Sequence, residues 1–191
     1  MDKFRDKTRD NLYGNLINLG IDCKLAKRNI VEEKLFNSWY QRSLGIIEIN
    51  ENTPIKYINI LKKDGGKDHP PRWWHYFAVP SEKIRSKKDL LDIQTTRKKN
   101  FPIFGKVKEI IWKPNSFGKS LAEIFTNDNE INKLAFEIGD IRVQSLHDNF
   151  SGYAIEIEPK GRKIGSRGSL NLTINHWNTI NKMAHLCLNS D

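Results

Sequence analysis

The chain has 191 residues, with 32 Lys and Arg against 23 Asp and Glu, a formal net charge of +9 and a pI near 9.5. That length suits one domain, or one domain with an arm, and can bury a core. No apolar run reaches the roughly 20 residues that cross a bilayer, and Cys23 and Cys187 are too few for a disulfide framework or a Cys-rich zinc site, so a cytoplasmic setting is expected.

Residues 1–43 read as a helical arm. Leu12, Tyr13, Leu16, Ile17 and Leu19 recur at three- and four-residue steps, and Gly20 stands where that helix ends. Val31, Leu35, Phe36, Trp39 and Tyr40 suggest a second helix, with Asn29 as its cap. Three apolar runs follow, at 44–50, 55–61 and 73–79. They are rich in Ile, Trp and Tyr, which suit a pleated, half-buried surface. A turn cluster separates the first two, and a polar loop separates the last two. Pro80 closes the third, because it cannot donate to a ladder.

Between residues 81 and 108, nine Lys or Arg stand against Glu82, Asp89 and Asp92, and Arg97, Lys98 and Lys99 are the densest point. A strand is expected at 106–112. Leu121, Ile124 and Phe125 suggest a short helix, and the break at 127–129 leads into a second one carrying Ile131, Leu134, Ala135 and Ile138. A hairpin follows, with strands at 141–146 and 153–158. Tyr153, Ile155 and Ile157 are expected to face inward and Glu156 and Glu158 to face water. A basic glycine-rich loop carries Lys160, Arg162, Lys163 and Arg167. A final helix at 173–188 presents Ile174, Trp177, Ile180, Ala184 and Leu188 on one stripe. Strands do not alternate with long helices, so the expected class is α+β, with largely antiparallel sheet covered by N-terminal and C-terminal amphipathic helices. The expected division is an arm at 1–43 and an α+β domain at 44–191, with a split of the latter into lobes at 44–112 and 113–191 left open.

Three constellations carry chemical content. Gly118-Lys119-Ser120 opens a helix after a strand, as a phosphate-cradling loop does, but Lys113 and Pro114 stand where that loop needs glycine and backbone donors. Asp140 opens one hairpin strand, and Glu158-Pro-Lys160 closes the other. This pattern resembles the Asp…Glu-x-Lys set of the restriction-endonuclease-like nucleases. The resemblance implies Asp140 and Glu158 as ligands of a divalent metal and Lys160 as a charge stabiliser, although Pro159 departs from the apolar residue usual between them. The third constellation is the basic residues themselves: Arg97, Lys98 and Lys99 with Lys160, Arg162, Lys163 and Arg167. They suit a phosphate backbone, with Trp73, Trp74, Phe101 and Trp112 near enough in sequence to offer stacking.

The leading expectation is a non-enzymatic binding module for an anionic partner, nucleic acid first, with no cofactor. The alternatives are a protein-interaction or homo-oligomer module docking through its N-terminal helices, and a metal-dependent nuclease.

Overall fold

Eight strands form one antiparallel sheet in the order β1-β2-β3-β4-β8-β7-β5-β6. They are β1 (Cys23–Leu25), β2 (Arg42–Ile49), β3 (Tyr57–Lys63), β4 (Arg72–Pro80), β5 (Asp92–Lys99), β6 (Val107–Pro114), β7 (Gly139–His147) and β8 (Ser151–Pro159). The computed structural model describes residues 6–34, 41–99, 107–147, 150–160 and 168–190. The helices are α1 (Thr8–Asn18), α2 (Lys119–Asn127), α3 (Asn129–Ile138) and α4 (Ile174–Asn189). The α+β class and the antiparallel pairing are those expected. Strands from residues 44–112 and from 113–191 share the one sheet, joined where β4 pairs with β8 and β5 with β7.

Period-2 alternation sorts the side chains onto two faces. One face carries Ile58, Ile60, Phe77, Val79, Ile93, Val143, Ile155 and Ile157. These pack with Leu12 and Leu16 of α1, Leu121 and Phe125 of α2, Leu134 of α3, and Trp177, Ile180 and Met183 of α4. The other face carries smaller apolar groups, Ile46 with Tyr57 and Ala78, and Leu61 with Trp74, Tyr76 and Ala154.

Local signals set the helix ends. Gly20 adopts a left-handed conformation (φ 82), its N–H donates to the Ile17 carbonyl, and the Ile21 N–H donates to the Leu16 carbonyl. Together these close α1 with a Schellman motif. Asp128 accepts from the N–H groups of Glu130 and Ile131 and starts α3. Thr173 and His176 form a reciprocal capping box on α4.

Several expectations are corrected. Residues 23–25 form an edge strand rather than helix. Residues 31–34 form a single 3₁₀ turn, preceded by Asn29, which has a left-handed backbone (φ 65) and donates its N–H to Glu33 instead of capping a helix. Leu35, Phe36, Trp39, Tyr40 and Phe101 lie outside the described residues. The segment 92–99, read only as charge, is the strand β5. Ile174 is 45% exposed and lies off the α4 core stripe. Glu156 does not face water freely, because it sits mostly buried among Tyr76 and Arg142.

Candidate functional site

The described members of the expected set, Arg97, Lys98, Asp140, Glu158 and Lys160, lie at one end of the sheet. In an antiparallel sheet, the start of each strand lies beside the end of its neighbour. The registers place Arg42 beside Lys62, Lys63 beside Arg72, and Gly139 beside Pro159. β5 ends at the same level with Arg97, Lys98 and Lys99, and β6 returns there with Lys108. Five acids intersperse these cations. Lys62 meets Asp6 at 2.9 Å, Arg42 meets Asp64 at 3.0 Å, Arg97 meets Asp140 at 2.6 Å, and Lys98 meets Glu109 at 3.4 Å. Arg72 clamps Glu158 with two nitrogens, stacking 5.1 Å from the Trp74 ring centroid.

The C-terminus of α3 ties the two basic stretches together. Its last carbonyls carry the partial negative charge of the helix dipole and lack intrahelical donors. Arg97, from β5, donates to the Ala135 carbonyl at 2.6 Å and to the Gly139 carbonyl. Lys160, just past β8, donates through Nζ to the Phe136 carbonyl and lies 4.9 Å from the Phe136 ring centroid. Its own N–H bonds to the Ile138 carbonyl. One cation from each sequence-distant stretch therefore caps the same helix. Gly139 makes the junction possible. At φ 154, a Cβ there would lie 2.0 Å from the Glu158 carbonyl oxygen.

Two further connections begin and end here. Residues 100–106 connect Lys99 to Val107. Residues 161–167, with three cations and no acid, connect Lys160 to Gly168, which packs against the Trp73 ring. The Lys99 side chain and Arg162, Lys163 and Arg167 lie outside the described residues. The other cations of 81–108 are elsewhere. Lys83, Arg85, Lys87 and Lys88 precede β5, at the opposite end of the sheet, where Lys83 Nζ bonds the Leu188 carbonyl. A strand of eight residues separates the two groups by about 25 Å.

Asp140 and Glu158 are direct cross-strand partners in β7 and β8 and line a cleft of about 280 Å³ with Arg72, Trp74, Arg142 and Glu156. Burial pushes the Glu156 carboxyl up, against the nearby Arg142 charge and a hydrogen bond from Tyr76. Arg142 in turn holds Asp92 through two bonds of 2.8 and 2.7 Å. The donor set does not fit a divalent ion. Asp140 and Glu158 are each engaged by a guanidinium, Lys160 turns to the α3 carbonyls, and no group of three potential ligands converges among the described residues.

The stacking candidates are packed rather than displayed. Trp73 and Trp112 belong to the helix-side core, and Trp74 lies under Arg72. Leu16, at the centre of the expected docking helix, is fully buried against the sheet. The Gly118-Lys119-Ser120 segment is an ordinary helix entry, with the N–H groups of Phe117 and Gly118 already held by Asn115 Oδ1. Burial raises the thiols of Cys23 and Cys187 to about 11 and about 12, which keeps them protonated.

Sequence reasoning missed a groove of about 640 Å³ between α3 and α4, lined by Glu137, His176, Thr179 and Lys182. Its histidine is fully used. Nδ1 accepts from the Thr173 N–H, and Nε2 faces Glu137 at 2.8 Å. Both ring nitrogens of this capping residue are therefore engaged, so His176 itself is not a free general base. Comparison with protein-family models, with curated proteins and with solved structures returned no match.

Proposed function

We propose that this protein is a non-enzymatic binding module for a polyanion, with nucleic acid as the first candidate. The docking surface is the end of the sheet where the β5–β6 connection and the segment after β8 leave side by side. The observation that carries this reading is the shared cap on α3. Arg97 and Lys160 hold the same helix terminus, so the two cationic stretches are only about two strand spacings, roughly 10 Å, apart. Phosphate backbones are bound by such clustered Lys and Arg, each contact releasing counterions.

The residues divide by role. The Arg97 side chain is only 12% exposed and is committed to Asp140 and the α3 carbonyls, so it positions the surface. The Lys98–Glu109 pair is 63% and 54% exposed. Exposed pairs of this kind are worth little, so a phosphate competes readily for Lys98. Lys108 projects from the same corner of the sheet.

The test is a salt titration of binding to random-sequence duplex and single strands. Wild-type protein should bind at low salt, with log K falling linearly in log salt by about 0.7–0.9 per phosphate contact. The double variant Lys98→Glu, Lys108→Glu should lose at least about tenfold in affinity and flatten that slope by about 2. No binding by the wild type at low salt, or a double variant with unchanged slope, would remove the proposal.

A further inference from the structure

The two edges of the sheet are unlike. β1, at one edge, has three residues, whereas β6, at the other, has eight. Asn115 N–H bonds the Asp92 carbonyl, and the β5–β6 register runs on from there. Hydrogen-bonded pairs alternate along an antiparallel ladder, so Glu109, Ile111 and Lys113 bond inward to β5. The N–H and C=O groups of Ile110 and Trp112 point outward. Among the described residues they meet no main-chain partner beyond the edge. A long, open edge is a template for another strand.

We infer that β6 pairs antiparallel with β6 of a second copy of this chain, about a two-fold axis at Ile111, and continues the sheet across the dimer. Outward groups belong to even-numbered residues, so only registers pairing even with even close hydrogen bonds. In the register centred on Ile111, Ile110 pairs with Trp112 of the second copy, and the symmetric pair forms beside it. On the open face, Ile111 then meets Ile111 of the second copy at the close, non-hydrogen-bonded spacing. Glu109 stands opposite Lys113 of the second copy, and the same pair repeats across the axis. Centring on Ile110 instead sets Glu109 against Ile111, and centring on Trp112 sets Lys113 against Ile111, each leaving charges unmatched.

Lysines on an edge commonly guard against such pairing. Here Lys113 has a complementary charge in one register only, so it selects the register and the partner. Glu109 already accepts from Lys98 within its own chain at 3.4 Å and would lie between two lysines. α2, which packs on β6 through Trp112 and Phe125, borders the same edge. Two large apolar residues stay exposed there, Phe117 (51%) at the entry to α2 and Ile124 (42%) within it.

Sedimentation velocity on the full chain tests this. Wild type should sediment as a species of twice the 22.2 kDa chain mass at high protein concentration. Glu109→Lys alone opposes Lys to Lys, and Lys113→Glu alone opposes Glu to Glu, so each should be monomeric. Mixing the two single variants should restore a dimer, because both cross-axis pairs then join a lysine of one variant to a glutamate of the other. The double variant should also dimerise by itself. Circular dichroism on each variant confirms that it is folded. A wild type that stays monomeric, or a dimer unaffected by either single change, overturns the inference. Dimerisation of the single variants without mixing points to a different interface and overturns it equally.

Discussion

His75 is the least expected residue in the core. It lies at the centre of β4 and is fully buried, and neither ring nitrogen has a hydrogen-bond partner. Burial pushes its pKa down to about 4; the neighbouring Ile157 backbone tempers the shift without closing a bond. The folded value lies below the ordinary 6.5, so the unfolded chain takes up a proton first. The stability attached to a neutral His75 is complete above about pH 6.5, falls as pH drops, and levels off below about pH 4, a loss of about 3 kcal/mol. Urea unfolding of wild type and His75→Leu between pH 7 and pH 4 should show that loss in the wild type alone. Below that window Asp6 takes over. Burial alone raises its pKa, but donations from Thr8, Lys62 and Trp73 outweigh it and hold the carboxyl at about 2. Its contribution is present above about pH 4 and disappears as pH falls through 2.

At the scale of elements, the passage from α3 into β7 positions the candidate surface. Asp128 starts the helix, Gly139 ends it, and Arg97 of β5 and Lys160, just past β8, cap its carbonyls. Gly139 is the narrowest constraint. Its φ is positive, and a side chain would collide with the backbone of Glu158, which cannot move without breaking the β7–β8 pairing. Gly139→Ala should cost about 3 kcal/mol, read as a lower urea midpoint. The variant should also weaken polyanion binding, because Arg97 and Lys160 lose their common anchor. Were it as stable as the wild type, the junction would be more pliable than its contacts imply.

For the whole molecule, what matters is where the net charge of +9 resides. The excess between residues 81 and 108 is not one patch, because β5 carries its two halves to opposite ends of the sheet. Binding should therefore discriminate between them. Lys88→Glu with Lys119→Glu changes the chain's net charge by four but lies at the far end, and should leave polyanion affinity within about twofold at physiological salt, where screening acts over about 8 Å. An equal loss from charge changes at either end would mean that the polyanion responds to overall charge, and the sheet-end surface would lose its meaning.

Local chemistry made much of the framework legible in the sequence. The apolar runs of β2, β3 and β4, the alternation in β8, the Gly20 stop, the break before α3 and the final helix all follow from periodicity and capping, which act over a few residues. β5 was not legible. Its Asp-Ile-Gln-Thr-Thr-Arg-Lys-Lys sequence offers a single apolar residue, Ile93, and its alternation emerges only once Ile93 and Thr95 are seen to face the helices while Gln94 faces the open side. The cationic composition was plain in the sequence, but its sorting into two ends was not, because that depends on strand direction. The pairing of Asp140 with Glu158 was anticipated from the hairpin. Their neutralisation by Arg97 and Arg72, residues 43 and 86 positions away, was decided only when the sheet brought β5 and β4 alongside. Short-range patterns are written in consecutive residues, whereas the meeting of distant charges depends on strand order and register, which no single stretch of sequence encodes.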